Sequence, residues 1–423
     1  MKLIVENGIL VDSESGYMGP GRVYVEDGLI AGVEQENAAG GAPEDGWQDA
    51  EILDAGGAWI VPGLCDLHVH FRDPGLTYKE DIFTGCRAAA AGGFTTVCAM
   101  PNTKPVVDGP ETVKYIDERA RQACGVKMLQ IGSITKGQKG TELSEMKAMA
   151  ETETLATAAV GRGICAVSED GRSVMNSALM LEGIREAQNL GLMVYSHTED
   201  ESLAGTSIGE ELIVARDIML AEEAGAPIHL CHISTAKSLE LIRQAKARGQ
   251  RVTCETGPHY FTFTEEDRGN DGNFKMNPPL RKAEDLQAVI EALKDGTIDA
   301  IATDHAPHSR QEKECGYEKA LNGIIGLETS FPVSYTRLVK GGYLSPLELI
   351  AVMSLNPHRI LGSTAGRLKA GAPADIAVID VEHPYRINPE EFQSKGRNTP
   401  FSGMEVWGKV LYTIADGRLI YGK

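Results

Sequence analysis

AWIVPGLCDLHVHFRDPG, residues 58–75, begins as an apolar, β-prone run and ends in two histidines one residue apart, an arginine, an aspartate, a proline and a glycine. Side chains alternate across an extended strand, so His68 and His70 are expected on one face, with Leu67 and Val69 packed on the other. Two imidazoles ending a strand can converge on a metal ion, yet such a pair is about as often ordinary packing. It gains meaning only if further ligands follow at equivalent places along the chain.

The chain supplies equivalent places. From Ala58 onward eight short apolar, β-branched runs alternate with amphipathic stretches: the opening run, FTTVCAM from Phe94, VKMLQIG from Val126, GICAVS from Gly163, LMVYSH from Leu192, PIHLCHIS from Pro227, RVTCETG from Arg251 and DAIATDH from Asp299. Helical patterns lie between them, such as YKEDIFTGCRAAAAGG, which stops on a glycine pair, and AKSLELIRQAKARGQ, which stops at Gly249. Eight strands with intervening helices predict a TIM-like (β/α)8 barrel over residues 58–365. Residues 1–57 and 366–423 read as short strands with turns and are expected to form one small β-sandwich from both chain ends. The Gly/Ala/acidic stretch at 36–46 is the flexible-loop candidate.

Barrels of this kind place their chemistry at the C-terminal ends of the strands. Those ends carry His68 and His70, Asn102, Asp170, His197, His232 and Asp304. Four histidines and two carboxylates on one rim suit zinc or a similar divalent ion, and six ligands are too many for one tetrahedral site. Two ions per subunit are expected: His68, His70 and Asp304 on one, His197 and His232 on the other, and Asp170 between them. No lysine occurs between Ala148 and His197, so a carbamylated lysine cannot be the bridge. Glu169 is the rival carboxylate and should point away if Asp170 points in. His259 is a second-tier candidate; His229, by its spacing from His232, is expected on the other side of its strand, and His305, His358 and His383 read as structural or exposed.

Composition excludes other classes. The 423 residues hold 41 basic and 60 acidic side chains, a formal charge of −19, with no Lys/Arg run able to track a phosphate backbone, so nucleic acid is not an expected partner. An anionic substrate would need local capture by a metal or one well-placed arginine. No segment reads as a signal peptide or a membrane span, and the eight cysteines are scattered singly, which suggests a reducing cytoplasm.

The motifs DLHVHFRDPG, AMPNTKP, SHTED, CHIST, NPPLR, ATDHAPHSRQEK and SKGRNTPFSG occur in an order that resembles the dihydroorotases of the amidohydrolase superfamily, over nearly the whole chain. The likeness is to the class bridged by an aspartate instead of a carbamylated lysine; members commonly show two aspartates where this chain has Glu169 and Asp170. The resemblance implies reversible cyclisation of N-carbamoyl-L-aspartate to L-dihydroorotate in pyrimidine synthesis. It implies Asp304 as the proton shuttle, Arg72, Asn102 and His308 around the substrate carboxylate, and Asn277 with the backbone of Asn322 and Gly323 at the ureido edge. Allantoinases and hydantoinases are the neighbouring alternatives. The family also contains silent homologues that serve aspartate transcarbamoylase as structural partners, but no ligand is lost here. A second copy of the chain and that transcarbamoylase are the expected protein partners.

Overall fold

The computed structural model describes residues 2–36, 41, 43 and 46–422, so most of the 36–46 loop candidate lies outside the described residues. In chain order the strands are β1 (Lys2–Asp12), β2 (Tyr17–Glu26), β3 (Leu29–Gln35), β4 (Glu51–Asp54), β5 (Trp59–Pro62), β6 (Leu64–Val69), β7 (Phe94–Ala99), β8 (Lys127–Ser133), β9 (Ala166–Ser168), β10 (Val194–Ser196), β11 (Ile228–Leu230), β12 (Val252–Thr256), β13 (Ala300–Ile301), β14 (Ile376–Asp380), β15 (Tyr385–Arg386), β16 (Glu405–Val406), β17 (Lys409–Ala415) and β18 (Arg418–Tyr421). Strands β6 to β13 pair in sequence order as a parallel sheet. The sheet closes where Val69 bridges His305 and the His70 N–H donates to the His305 carbonyl at 2.8 Å. Thr303 ties the same seam, its Oγ1 donating to the buried Asp66 carboxylate at 2.6 Å.

Helices cover this barrel where the periodicity placed them. Ile82–Ala91 is capped by Asp81 and ends at the Gly92–Gly93 pair, and Ala236–Ala247 is capped by Thr235 and ends just before Gly249. Glycine is required at 93 and 249, where φ is +85° and +81°. Cys65, Leu67, Cys98, Leu129, Ile131, Tyr195, Cys231 and Ala300 come from strands all around the barrel, yet form one cluster, which is therefore its interior filling. The larger core lies between the strands' outer faces and the helices.

The chain ends together form one small β domain, as their strand patterns imply. They join edge to edge in one hydrogen-bonded sheet, ordered β18-β17-β14-β5-β1-β2-β3 with β4 on β1, around a core that includes Val5, Leu10, Val23, Ile60 and Ile376. The run that reads as the first barrel strand is in fact two strands. Trp59–Pro62 pairs with β1 and β14, and the chain enters the barrel only after Gly63. A Cβ on Gly63 would meet Thr95 Oγ1 at 2.3 Å, so only glycine lets the backbone cross between the sheets there. Residues beyond β14 do not all stay in the end sheet: β15 and β16 form a separate pair, and the stretch between them returns to the barrel. Among the described residues no helix is long and apolar enough to cross a membrane, and all eight cysteines are unpaired.

Candidate metal and substrate site

The rim residues read from the strand ends meet in one place. Asp170, just past β9, lies at the centre: its Oδ1 is 3.2 Å from His68 Nε2, 3.3 Å from His197 Nδ1 and 3.7 Å from His232 Nε2, while its Oδ2 is 3.4 Å from His70 Nε2. Asp304 Oδ1 sits 3.0 Å from His70 Nε2 and 3.6 Å from His68 Nε2. Glu169 turns away, accepting the Thr135 N–H at 2.9 Å and its hydroxyl. Asp170 Oδ1 thus faces His68, His197 and His232 while its Oδ2 faces His70, so one carboxylate meets all four imidazoles, though His68 and His70 do not share an oxygen.

Simple alternation does not produce this arrangement. Leu67 packs inside the barrel with Cys65, and a register shift between Asp66 and Val69 is what turns His68 toward the site. Arg72, His232 and Asp304 have φ of +59°, +41° and +47°, a sparsely populated region for residues with side chains. Strain of that kind persists where surrounding structure enforces it, and here it sets the aim of three site residues.

The tautomers are set from outside the cluster. His68 Nδ1 donates to Glu255 Oε1 at 2.9 Å, and His70 Nδ1 donates to Asn102 Oδ1 at 2.9 Å, leaving both Nε2 atoms for the centre. Burial by itself would lower the His68 imidazole, but the Asp170 and Asp304 carboxylates outweigh it and hold it well above its ordinary value. His197 is likewise carried to about 9, against burial, by Asp170 and Glu199. Burial pushes the Asp304 carboxyl up, but His68 and His70 draw it down to about 2. Such a cluster holds protons where a cation would otherwise sit.

Two observations fit a divalent metal to these residues. His68 Nε2 and Asp170 Oδ1 are buried, face one another and have no hydrogen-bond partner, which is rare unless an ion completes the site. Three-ligand groupings with mutually close atoms recur here, His68–His70–Asp304 and His68–Asp170–His232 among them, and their N and O donors suit zinc.

Beside the cluster opens a cavity of about 150 Å³, lined by His70, Arg72, Asn102, Asn277, Asn322 and Gly323 among others. This is small against the pockets that hold drug-sized ligands. Among the described residues only the Arg72 Nε–H is taken, by the Pro307 carbonyl at 3.3 Å, and Asp73 pairs instead with Arg119 Nε at 2.8 Å. The planar end of Arg72 is therefore free to face a ligand. Asn277 Nδ2 donates to Glu199 at 2.8 Å.

His308 does not reach the cavity wall. Its Nδ1 accepts from Lys79 Nζ at 3.1 Å and its Nε2 donates to the Asn322 carbonyl at 2.8 Å. Burial, with Arg72 and Lys79 nearby, depresses it to about 3, so it is neutral at working pH. His229 corrects another expectation: it lies inside the barrel, its ring 4.6 Å from that of Tyr195, with Nε2 3.1 Å from Glu255. His259 is buried with its ring 4.0 Å from that of Tyr260, neither ring nitrogen has a hydrogen-bond partner among the described residues, and it does not line the cavity. Glu255 and Lys79 escaped sequence reasoning; the one signal for Glu255 was a carboxylate inside the apolar run RVTCETG.

Barrel, polar rim and ligand cluster together define a metal-dependent hydrolase of the amidohydrolase type. The chain belongs to the amidohydrolase family, whose model matches residues 59–420, and within it to the dihydroorotases. It is 45% identical to the dihydroorotase of Geobacter sp. (strain M21), over all of this chain and 99% of that one. It is 46% identical to that of Pelotomaculum thermopropionicum, over 99% and 98% of the two chains. Among solved structures, the L-hydantoinase of Arthrobacter aurescens superposes with a TM-score of 0.87 at 26% identity, covering 100% of this chain and 96% of that one.

Proposed function

We propose that this cyclic amidohydrolase interconverts N-carbamoyl-L-aspartate and L-dihydroorotate, the ring-closing step of pyrimidine synthesis, at an aspartate-bridged pair of zinc ions. The observation that carries the reading is the unpartnered fork of Arg72 across a small cavity from the His68–Asp170 cluster. Both substrate forms keep a carboxylate beside the ring carbon, and a planar guanidinium can bind it through two parallel hydrogen bonds.

His68, His70 and Asp304 would hold one ion, His197 and His232 the other, and Asp170 both. Divalent ions there supply Lewis acidity, easing ionisation of water and polarising a carbonyl. The chain's own work is orientation and proton transfer. In ring opening, water adds to the ring carbonyl carbon and the bond to the ring nitrogen breaks. Asp304, ionised at rest, takes the proton of the attacking water and delivers it to the departing nitrogen. Ring closure runs the same transfer backward. Arg72 and Asn102 hold the carboxylate, and Asn277 with the Asn322–Gly323 backbone holds the ureido edge; His308 supports that wall from behind.

Carbamoyl aspartate carries two carboxylates and dihydroorotate one, so closure consumes a proton and the equilibrium should move about tenfold per pH unit, toward the ring in acid. The test is to run purified protein from both sides across a pH series with metal analysis, using hydantoin and allantoin as rival substrates. A pH-independent end point, or turnover of a rival ring in preference to dihydroorotate, would overturn the assignment. The unpaired cysteines fit a cytoplasmic enzyme. Sedimentation of the chain alone and mixed with aspartate transcarbamoylase would read both expected partnerships.

A further inference from the structure

The motif SKGRNTPFSG has no role in the reaction just described, yet its segment leaves the end sheet and lies against the barrel beside the cavity. Two carboxylates fasten it, Glu80 fully buried and Glu328 half-buried. Glu80 accepts from the Ser394 hydroxyl and from the Lys395 N–H at 3.2 Å, and Glu328 accepts the N–H groups of Gln393 and Ser394 at 2.9 and 3.1 Å. A Cβ on Gly396 would meet Ile325 Cγ2 at 2.7 Å and Pro307 at 3.0 Å, so glycine allows the close approach.

Asn398, 3% exposed, is the point of contact. Its Nδ2 donates to the Ala306 and Gly323 carbonyls, both at 3.1 Å, its Oδ1 accepts the His308 N–H at 3.1 Å, and its carbonyl accepts the Ile325 N–H at 2.9 Å. One amide thereby uses both Nδ2 hydrogens and its oxygen to join two loops: the one after β13 that carries Asp304 and His308, and the one that carries Asn322 and Gly323. The Gly323 carbonyl is also taken by Lys313 Nζ at 2.7 Å, and Lys313 reaches the Lys275 carbonyl at 2.9 Å, next to the Asn277 loop. No other side chain among the described residues bonds to both the 306–308 and 322–325 segments through three hydrogen bonds of its own.

We propose that Asn398 is a positioning residue for substrate recognition: it fixes the spacing between the 306–308 and 322–325 backbones, and so the shape of the wall that reads the ring. This rests on the dihydroorotase reading above. Asn398 touches neither substrate nor the ligand cluster, and its effect passes through the Gly323 and Ala306 carbonyls it holds. A displacement of about 1 Å in such a wall can cost on the order of a hundredfold.

The test compares Asn398→Ala and Asn398→Asp with the parent protein, all loaded with zinc. Asn398→Asp keeps shape and the acceptor for His308 but sets a carboxylate oxygen against the Ala306 and Gly323 carbonyls, so it serves if the alanine variant fails to fold. The expected result is a KM for dihydroorotate raised about tenfold or more with kcat reduced far less. Zinc content should stay unchanged while the unfolding midpoint falls modestly, because buried carbonyls lose their donor, and amide hydrogen exchange should quicken at 322–325. A KM within about twofold of the parent, or losses of zinc, midpoint and kcat together, would assign Asn398 a merely structural part. Misfolding of both variants would do the same. A parent protein inactive on dihydroorotate would instead overturn the assigned substrate, while the exchange measurement would still decide the bracing.

Discussion

The two walls of the cavity are built on opposite principles. On the ligand side, four imidazoles crowd one carboxylate and buried atoms such as His68 Nε2 and Asp170 Oδ1 go without partners. On the facing side, the Asn322 and Gly323 carbonyls and the His308 ring and N–H are all taken by His308, Lys79, Lys313 and Asn398. A wall with unsatisfied buried groups is completed by something from outside the chain; a wall whose backbone carbonyls are already paired is set on folding and offers a ligand chiefly the Arg72 fork. Metal binding should therefore depend on the crowded ligand cluster, and substrate recognition on the Arg72 fork first and on the braced backbone after it.

The sharpest break in that comparison is Asp170→Ala. Losing the central carboxylate should lower bound zinc by more than about a hundredfold in affinity, beyond the effect of an outer partner, and nearly abolish turnover. Glu169→Ala should lower stability with zinc content intact, because that carboxylate caps Thr135. Metal analysis of both variants checks the pair, and the opposite pattern would move the bridge to Glu169.

Arg72→Met comes next and tests the facing wall. Removing a forked charge contact should cost about 3 kcal/mol in transition-state binding, over about a hundredfold in kcat/KM, with zinc unchanged. Near-normal kinetics on dihydroorotate would remove Arg72 from the substrate side.

Glu255→Gln probes the ligand wall one step out. The glutamine can still accept from His68 Nδ1 but loses the negative charge, so zinc affinity measured by chelator competition should fall about tenfold to a hundredfold. Unaltered affinity would make the Glu255–His229 pair simple interior packing.

The smallest effect per step is the pH response, and it separates metal-free from loaded protein by sign. Without metal, His197 holds its proton to about 9, above its unfolded value, so the stability from its ion pairs is fully present below pH about 6.5 and lost as pH rises to about 9. Zinc must displace that proton, so its affinity should climb across the same interval, about tenfold per pH unit for each proton released. Thermal unfolding with and without zinc at a series of pH values should show the two forms diverging as pH rises; parallel curves would mean that the imidazoles carry no proton for zinc to displace.

Much of this molecule is legible along the chain. Eight apolar runs broken by helical periods determine a parallel barrel, because burial on both faces demands such strands. The polar residues following those runs, His68 through Asp304, must then share one rim, since all parallel strands end on the same side. What sequence could not decide is how each side chain is aimed. Period-two reasoning holds only while a strand is regular, and the register shift before Val69 and the positive φ of Arg72, His232 and Asp304 are enforced by contacts across the barrel. The division of one apolar run at Gly63 between two sheets has the same origin, since neither partner, β14 nor Thr95, is near in sequence. His308 turning away from the cavity, Glu255 setting the His68 tautomer and Asn398 spanning two loops all join residues far apart in the chain. Local sequence carries residue type and period; only the closed structure decides which distant donor meets which acceptor.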